Sequence, residues 1–285
     1  MKIGFIGLGL MGGAICRSVI RTGNEVYVFD FAKEKVEAMA ALAPNAHGAA
    51  SAAELADADV VFTSLPLPRH VLETMTGPDG LMTKMKKGSV HIDVSTIDPG
   101  TAETLEAFGK KYGVGFLGCP EGKGPAQAEK AEQPIFAGGD RAVYEKLLPL
   151  LQQIGSPVYY LGGARQAYAF KLISNMVGMT NLAVLAEGIR VAEAAGLDGK
   201  QFQQLLADTG ADSAQLHMRG EAIRTRDFHN KFGVNLALKD VRIGVDMAKA
   251  WGYDARFTEM AREFYQKASE AGYGMEDCAA VFKVL

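Results

Sequence analysis

Two polar residues stand in an otherwise apolar stretch and could do acid-base chemistry together. Lys171 and Asn175 are separated by four positions in "AFKLISNMVGMTNLAVLAEG", a run composed mostly of Leu, Ile, Met, Val and Ala. Because helical residues four apart share a face, both side chains are expected to point the same way. A lysine held away from water can give up or take a proton. The alternative is a lysine whose stem lies along the apolar face while its ammonium reaches solvent.

A glycine pattern close to the N-terminus indicates a phosphate site. "GFIGLGLMGGAI" places Gly7, Gly9 and Gly12 in Gly-x-Gly-x-x-Gly, after a strand pattern and at the start of a helical one. The first glycine permits a tight turn, the second leaves room for a pyrophosphate, and the third lets helix and strand approach. The N–H groups at the helix start attract phosphates. An ordinary glycine-rich turn is the alternative. The pattern predicts a dinucleotide site formed by Gly7, Leu8, Gly9, Leu10, Met11 and Gly12.

An acidic residue follows the next strand pattern. Asp30 ends "EVYVFD", close to the spacing of ~20 residues at which a carboxylate binds the ribose hydroxyls of NAD. A carboxylate there repels the 2′-phosphate of NADP, and no arginine follows in Asp30-Phe31-Ala32-Lys33. We therefore expect NAD as the cofactor, with Lys33 as the residue that would allow some NADP. The alternative role for Asp30 is that of a helix N-cap.

The composition argues against several kinds of partner. The chain of 285 residues is 48% hydrophobic, enough for a large core and two domains, and its formal net charge is −3, which argues against nucleic acid. Cys16, Cys119 and Cys278 are far apart and odd in number, so we interpret them as reduced packing residues rather than metal ligands. The glycine-broken start is unlike a signal peptide, and no uninterrupted apolar run of about 18 residues is present. We expect a cytoplasmic protein with no metal and no membrane partner.

The elements that must position these residues fall into two halves. Up to about Gly163, apolar runs alternate with helical patterns, which is typical of βαβ units around a parallel sheet. Those runs are "KIGFIG", "EVYVFD", "DVVFTSLP", "SVHIDVS" and "QPIFAGG". Beyond Gly163, helical segments are expected at 165–195, 199–208, 213–225, 234–251, 255–271 and 275–283. The sequence predicts an α/β Rossmann-type domain at 1–163 and an all-α domain at 164–285, joined by a long helix.

Six sequence blocks, taken in order, resemble the β-hydroxyacid dehydrogenase family, which includes 3-hydroxyisobutyrate dehydrogenase, tartronate semialdehyde reductase and succinic semialdehyde reductases. The blocks are "GFIGLGLMG", "TSLP" (63–66), "DVSTIDP" (93–99), "FAGG" (136–139), "KLISN" (171–175) and "LKDV" (238–241). The resemblance covers essentially the whole chain. It implies a Rossmann domain, a long connecting helix, an all-helical second domain, and a cleft between the domains for nicotinamide and substrate.

The resemblance assigns chemistry to residues of the helical half. Hydride transfer to a carbonyl leaves an alkoxide that must be protonated. Lys171 is implied as the acid/base for that step, with Asn175 holding the lysine or the substrate. Lys239 is implied to lie near the nicotinamide with Asp240 as its partner, although Lys-Asp on a helix is most often a solvated pair. Phe232, just upstream, is implied to close the cleft over the substrate.

Polar residues also follow strand patterns of the first half. Ser95 and Thr96 come after a buried-looking strand, at the carboxyl end of the sheet where open α/β folds bind ligands. We expect Ser95 to contact substrate, and the resemblance implies that Thr96 lies by the cofactor. The alternative is a Ser-Thr N-cap for the following helix. Leu65 and Pro66 end another strand and are expected to contact the cofactor mainly through their backbone.

Two segments depart from the family pattern. Pro-Val-Ser-Gly-Gly usually follows the sixth strand, where its amides hold a substrate carboxylate, but this chain has "CPEGKGPAQAE" (119–129). Gly122 takes the serine position and Lys123 that of the first glycine. We expect these two and Gly124 to bind an anionic substrate, with Glu121 as a neighbour that could neutralise Lys123. Gly122-Lys123 is similar to the Gly-Arg pair of sulfolactaldehyde reductases.

Arg165 lies in the second departure, where glycine-rich sequence usually precedes the catalytic lysine, Lys171. It too would bring a cation to the substrate.

The sequence therefore predicts a reversible NAD(P)-dependent oxidoreductase that acts on a small β-hydroxy acid or its semialdehyde. A sulfolactaldehyde-type reductase and an imine or keto-acid reductase are alternatives in the same superfamily, although the imine branch typically lacks the lysine. A decarboxylating 6-phosphogluconate-type enzyme is disfavoured, because the long helical extension of that group is missing. An alternative of a different class is a dinucleotide-binding module without catalysis. The segment "GMTNLAVLAEGIRVAEAAG", rich in small and apolar residues, predicts a homo-oligomer, a dimer or tetramer.

Overall fold

A computed structural model describes all 285 residues of the chain. The chain divides into two compact units, Met1–Lys171 and Leu172–Leu285. The division falls inside one long helix, Ala164–Ala194, whose first turns belong to the first unit and whose remainder belongs to the second. The domain boundary predicted at 163/164 lies at the start of this helix and stays a prediction.

The first unit contains an eight-stranded sheet. The strands are β1 (Lys2–Ile6), β2 (Glu25–Phe29), β3 (Ala46–Gly48), β4 (Val60–Thr63), β5 (Val90–Asp93), β6 (Gly115–Gly118), β7 (Ile135–Gly139) and β8 (Val158–Tyr160). Their order across the sheet is β3-β2-β1-β4-β5-β6-β7-β8. All neighbouring pairs are parallel except β6 and β7, which are antiparallel. The residues that end β1, β4 and β5 therefore meet at one edge of the sheet.

Helices cover both faces of this sheet. They are α1 (Leu10–Arg21), α2 (Lys33–Ala40), α3 (Pro68–Thr76), α4 (Pro99–Tyr112), α5 (Pro125–Ala128), α6 (Arg141–Ile154) and the first turns of α7 (Ala164–Ala194). Residues of β4 and β5 are buried at every position, as is usual for central parallel strands with helices on both sides. Local sequence sets the helix ends: Asp98 caps α4, Pro99 begins it, and Gly113 ends it in the left-handed conformation with a φ of +74°.

The predicted fold class is confirmed, with differences in the sheet. Strands β1, β2, β4, β5 and β7 lie within the five predicted runs. Strands β3, β6 and β8 were not predicted: β3 and β8 have only three residues each, and β6 ("GFLG") begins and ends with glycine. The β6–β7 pair also departs from the predicted all-parallel arrangement.

The second unit is helical. It comprises the rest of α7 followed by α8 (Gly199–Ala207), α9 (Ala214–Thr225), α10 (Val234–Ala250) and α11 (Arg256–Ala268). Two of its predicted helices differ from the structure: α11 ends at Ala268 in a π-helical turn whose Gly272 has a φ of +90°, and the segment Cys278–Val284 is a 3-10 helix. The core of this unit is built around Tyr265, which is fully buried and donates a 3.0 Å hydrogen bond to the Met179 carbonyl oxygen.

Helix α7 is long and apolar enough to cross a membrane by length and composition alone. Its most apolar window has a mean hydropathy of 1.3, and 33% of that window is buried within the fold. The core helices of globular proteins meet the same criterion, so the helix is weak evidence for a membrane span.

Candidate functional site

The glycine turn between β1 and α1 has the shape of a phosphate site. Gly7 has a φ of +98°, and a Cβ there would lie 2.2 Å from the Ser64 carbonyl oxygen. A Cβ on Gly12 would lie 2.2 Å from the Gly7 carbonyl oxygen, so packing requires glycine at both positions. A Cβ on Gly9, by contrast, would meet no atom within 4 Å. The fold itself does not require Gly9, and the space beside it suits a group from outside the chain, as a pyrophosphate would be.

The start of α1 presents hydrogen-bond donors to that space. Gly9 is the N-cap of α1, no side chain caps the helix, and the first turn carries no acidic residue. The first N–H groups of a helix have no partner within the helix and carry partial positive charge. Leu10 is 63% exposed and Met11 is half-buried, so this turn lies at the surface, whereas Leu8 is buried. The predicted segment 7–12 therefore fits an anionic pyrophosphate.

Asp30 lies directly against this turn. Its Oδ2 accepts a 2.7 Å hydrogen bond from the Leu8 N–H, and its Oδ1 accepts one of 2.9 Å from the Ala32 N–H. The N-cap of α2 is Ala32, so the alternative in which Asp30 caps that helix is wrong. Each carboxylate oxygen has a further lone pair, and the side chain is half-buried beside the glycine turn. This placement fits a carboxylate that accepts hydrogen bonds from ribose hydroxyls.

Ser95 belongs to a buried hydrogen-bond network at the ends of β4 and β5. The Oδ1 of Asp93 accepts hydrogen bonds from Ser95 Oγ at 2.7 Å and from Thr63 Oγ1 at 2.6 Å. The Oδ2 of Asp93 accepts one of 2.6 Å from the Tyr168 hydroxyl. Burial raises the pKa of Asp93, while these three hydroxyl donors lower it. Ser95 Oγ also accepts a 2.9 Å bond from the Leu65 N–H, so this hydroxyl holds the strand ends together. A substrate contact of Ser95 stays a prediction.

The other residues predicted at this edge are more open. Thr96 and Leu65 are half-buried and Pro66 is exposed. The N-cap of α4 is Asp98, whose Oδ1 accepts a 2.9 Å hydrogen bond from the Thr101 N–H. The alternative in which Ser95 or Thr96 caps this helix is therefore wrong. Thr96, Leu65 and Pro66 lie beyond the carboxyl ends of parallel strands, where α/β folds bind ligands.

The turn after β6 holds a carboxyl inside and an ammonium outside. Glu121 is 4% exposed, whereas Lys123 is exposed and has a φ of +60°. The Nζ of Lys123 donates a 3.2 Å hydrogen bond to the Glu132 carbonyl oxygen. The charged group that lowers the pKa of Glu121 is Lys171. The expectation that Glu121 neutralises Lys123 is therefore wrong, because one side chain is buried and the other lies at the surface.

Two glycines flank Lys123 in this turn. The Gly122 N–H donates a 2.9 Å hydrogen bond to the Pro134 carbonyl oxygen, and a Cβ on Gly122 would lie 2.7 Å from Pro134 Cγ. The Gly122 amide is thus engaged within the protein. Gly124 is extended and precedes the short helix α5. Lys123 is therefore the residue of these three that can offer a charge to an anion, and its ammonium lies at the surface.

Lys171 is half-buried on α7, three residues after the fully buried Tyr168. The Tyr168 hydroxyl also donates a 3.0 Å bond to the Asp93 backbone oxygen, which anchors this turn of α7 to the sheet. A Cβ on Gly118 would lie 2.4 Å from the Tyr168 ring, so the glycine at the end of β6 makes that packing possible. The Lys171 ammonium lies near enough to the buried Glu121 carboxyl to lower its pKa, which argues against a lysine directed only to solvent.

Arg165, one of the residues that depart from the family pattern, lies near the start of α7. It is exposed, and its Nη1 pairs with Glu103 Oε1 at 3.2 Å. Glu103 partly neutralises the guanidinium in this surface ion pair. A substrate contact of Arg165 stays a prediction.

In the second unit, Asn175 and Lys239 share one carboxylate. The Asn175 Nδ2 donates a 2.7 Å hydrogen bond to Asp240 Oδ2, and Lys239 Nζ lies 2.8 Å from Asp240 Oδ1 in an ion pair that lacks good hydrogen-bond angles. The side chains of Lys239 and Asp240 are 11% and 4% exposed, so the alternative of a solvated pair is wrong. Phe232 is half-buried, packs against the core of this unit, and is held by a 3.0 Å bond from its N–H to Asp277 Oδ2.

The structure adds two residues that the sequence did not single out. Asp93 and Tyr168 connect the sheet edge to the turn of α7 that carries Lys171. Asp240, expected as the partner of Lys239, also orients Asn175. Asp93 ends an otherwise apolar strand, and Tyr168 lies one helical turn before Lys171, so spacing offered a signal for both. Glu121 offered a weaker signal, a lone acidic residue after an apolar strand.

Taken together, the open glycine turn, the uncapped helix start and the adjacent carboxylate define the first unit as a dinucleotide-binding α/β domain. Comparison with known protein families supports this assignment. Residues 2–162 match the family model of the NAD binding domain of 6-phosphogluconate dehydrogenase, and residues 165–285 match that of the NAD-binding region of NADP-dependent 3-hydroxyisobutyrate dehydrogenase. The chain belongs to the β-hydroxyacid dehydrogenase family, as its six sequence blocks predict.

Individual relatives cover the full chain. It is 30% identical over 286 residues to 2-(hydroxymethyl)glutarate dehydrogenase of Eubacterium barkeri, covering 100% of this chain and 94% of that protein. The crystal structure of 3-hydroxyisobutyrate dehydrogenase from Salmonella typhimurium superposes with a TM-score of 0.89 at 26% identity, covering 100% of both chains. Psf3 in complex with NADP+ and 2-OPP gives a TM-score of 0.89 at 25% identity, covering 99% of both chains. The chain is thus an NAD(P)-dependent oxidoreductase.

Proposed function

We propose that this chain reversibly reduces a small semialdehyde with a distal anionic group to the corresponding β-hydroxy acid, and that it prefers NAD to NADP. The names of its relatives, a 2-(hydroxymethyl)glutarate dehydrogenase and a 3-hydroxyisobutyrate dehydrogenase, support a small hydroxy acid as the substrate. The observation that carries the chemistry is the half-buried Lys171, anchored through Tyr168 to the sheet edge and close to the buried Glu121.

The residues of the chain then divide the work. Bound nicotinamide supplies the hydride in reduction and takes it up in oxidation. Lys171 donates a proton to the oxygen of the former carbonyl, so that an N–H bond breaks as an O–H bond forms. The positive charge of its ammonium stabilises the oxyanion before that transfer. Asn175, oriented by Asp240, binds the lysine or the substrate. Lys239 contacts the nicotinamide end of the cofactor, and Thr96 also lies by the cofactor.

The remaining predicted residues bind the two ends of the ligands. The turn from Gly7 to Gly12 holds the pyrophosphate, Asp30 accepts from the ribose hydroxyls, and the backbone of Leu65 and Pro66 contacts the cofactor. The distal anion of the substrate is bound by Lys123 and Gly124, with Ser95, Gly122 and Phe232 around it. The exposed charge of Lys123 favours a substrate whose anion reaches the surface of this turn, either a carboxylate or a sulfonate.

The test is a panel of C3 to C5 semialdehydes and hydroxy acids, carboxylated and sulfonated, assayed with NAD(H) and NADP(H). We expect turnover with at least one carboxylated or sulfonated compound and little with uncharged aldehydes of the same size. Isothermal titration with NADH serves as the control. Cofactor binding without turnover of any compound would instead support the alternative, a dinucleotide-binding module without catalysis.

One face of α7 supports self-association. Four valine or isoleucine side chains of α7 in the second unit are 47% to 65% exposed and recur at intervals of four and seven residues, which places them on one helix face: Ile173, Val177, Val184 and Val191. An exposed apolar stripe supports a homo-oligomer, a dimer or tetramer. Light scattering of the purified protein tests this directly. A cytoplasmic location also stays a prediction.

A further inference from the structure

One buried carboxyl has no role in the proposed function so far. Glu121 lies immediately after β6, and the chain reverses between β6 and β7, so that Glu121 forms a bridge with Ile135. The Gly122 N–H bonds to the Pro134 carbonyl oxygen at 2.9 Å, and the Phe136 N–H to the Pro120 carbonyl oxygen at 2.9 Å. These backbone contacts hold the Glu121 side chain in the interior.

The carboxyl is held there without hydrogen bonds of normal geometry. Neither oxygen of Glu121 has a hydrogen-bond partner, and the neighbouring Gln133 Oε1 also has none, although Gln133 Nε2 donates to the Ile154 carbonyl oxygen at 2.7 Å. An unsatisfied buried carboxylate is costly, typically several kcal/mol. A valine, as in the pattern Pro-Val-Ser-Gly-Gly, would fill this position without that cost. A carboxyl at such a position is therefore expected to act on a neighbouring group.

Lys171 is that neighbour: the ring of Phe170, next to it on α7, packs against Phe136 with 4.6 Å between ring centroids, and the Phe136 N–H bonds to the carbonyl oxygen of Pro120, next to Glu121. Burial raises the pKa of Glu121 to about 8 even though the Gln133 amide and the Lys171 ammonium both act to lower it. The other titratable group beside Glu121 is the Cys119 thiol, whose pKa is raised by burial and further by Glu121 and Asp93. Neither Cys119 nor Asp93 brings a positive charge, so Lys171 is the group whose proton Glu121 can stabilise.

We propose that Glu121 controls the protonation of Lys171, and so sets the pH range over which the enzyme catalyses reduction rapidly and the range over which it catalyses oxidation rapidly. Ionised Glu121 stabilises the charged ammonium, and neutral Glu121 does not. Glu121 acts through Lys171 and is a positioning residue for its proton. This inference rests on the proposed role of Lys171 as the acid/base.

The first experiment measures the pKa of Lys171 without any substrate. Competitive labelling with acetic anhydride over pH 6 to 11, read by mass spectrometry, gives the pKa of the lysine in the wild type, in E121Q and in the matched control E132Q, which removes the same charge from an exposed residue of the same turn. We expect the pKa of Lys171 to fall by about one unit or more in E121Q, because an ionised neighbour of opposite charge is lost. E132Q should match the wild type. An unchanged pKa in E121Q would overturn the inference.

The second experiment follows kcat/KM against pH in both directions. The reductive rate needs the charged lysine, so its high-pH limb should move to lower pH by about one unit in E121Q, a loss of roughly tenfold on that limb. The oxidative rate needs the neutral lysine and should rise at lower pH in the same variant. Well below pH 8 Glu121 is mostly neutral, so the reductive rates of wild type and E121Q should be similar there. A shifted labelling pKa with an unshifted rate profile would show that Lys171 is not the acid/base, which overturns the proposed function as well as the control of the reaction by Glu121.

A reciprocal measurement guards against a variant that fails to fold. Infrared difference spectroscopy of the wild type follows the C=O stretch of the buried protonated carboxyl as pH rises, with the band assigned by glutamate isotope labelling. Because coupling between two sites is reciprocal, K171Q should keep this band to higher pH than the wild type. Titration of the band at the same pH in both proteins would contradict the pairing.

Discussion

Two turns at the same sheet differ in what they present. The turn after β1 is open. Packing within the chain requires glycine at positions 7 and 12, but it does not require glycine at position 9. The turn after β6 buries a carboxyl at Glu121 and exposes a lysine at Lys123 in a strained backbone conformation. NAD and NADP share the same pyrophosphate, so a turn that binds it is constrained by one fixed shape. Substrates vary between enzymes, and the second turn carries two charged residues, Glu121 and Lys123, that depart from the family pattern.

The largest expected effect concerns the lysine next to the second turn. Lys171→Ala removes the proposed proton donor, so turnover should fall by about two orders of magnitude or more. NAD binding depends on the first turn and should survive. Steady-state kinetics and isothermal titration with NADH measure the two separately. Near-normal turnover in this variant would refute the acid/base assignment.

The first turn is tested by two alanine variants that differ in what the new methyl group meets. Gly12→Ala places a Cβ 2.2 Å from the Gly7 carbonyl oxygen and should lower the melting temperature as well as cofactor affinity. Gly9→Ala meets no protein atom within 4 Å. It should leave the melting temperature nearly unchanged while weakening NAD binding by about tenfold or more, since a pyrophosphate would approach that position. Equal loss of stability in both variants would argue that the space beside Gly9 is not a ligand site.

A smaller effect is expected at Asp30, which is proposed to set the preference for NAD over NADP. Asp30→Ala should weaken NAD and relieve repulsion of the 2′-phosphate of NADP, narrowing the preference by about tenfold. Asp30→Asn keeps a side-chain oxygen that can accept from the Leu8 N–H, so it isolates the effect of charge. Kinetics with each cofactor provide the measurement, and an NADP preference in the unmutated protein would contradict the assignment.

The smallest effect is expected at Lys123. Lys123→Gly and Lys123→Ala both remove the ammonium, so both should raise KM for the anionic substrate by a few-fold and affect uncharged aldehydes less. Only glycine relieves the φ of +60°, so Lys123→Gly should be the more stable of the two by about 1 kcal/mol. Thermal melting and substrate ranking are measured together. An unchanged ranking in both variants would mean that Lys123 does not bind the substrate anion.

The sequence was most informative where local pattern and function coincide. Gly7 and Gly12 could be assigned from spacing alone, because their conformation and packing follow from the strand-turn-helix unit around them. The helix that carries Lys171 was predicted at 165–195 and is found at Ala164–Ala194, since its apolar run is long and lacks glycine or proline breaks strong enough to end it. Strands β3 and β8 have too few residues for a pattern, and β6 is bounded by glycines.

The sequence was least informative where the partner of a side chain lies far along the chain. Glu121 was assigned to Lys123, two positions away, whereas the structure places it near Lys171, fifty positions on. For Lys239 and Asp240 the sequence left a solvated pair open as the alternative, but Asn175, sixty-five positions before Asp240, joins them in a buried group. Such pairings depend on tertiary packing and leave no periodic signal in the sequence.

The antiparallel step between β6 and β7 has a consequence for how such an enzyme changes its substrate. Because the chain turns back on itself, both ends of the segment between Glu121 and Ile135 are fastened to each other by main-chain hydrogen bonds, which any side chains permit. The exposed residues within the segment can then be exchanged with the sheet left intact beneath them, whereas Ala128 and Glu129 are held against α1 by bonds from Ser18 and Arg17. A variable segment therefore lies on a sheet whose backbone pairing stays the same. We expect recognition to diversify here by replacement of one continuous stretch, while the residues that hold the cofactor and move the proton stay in place.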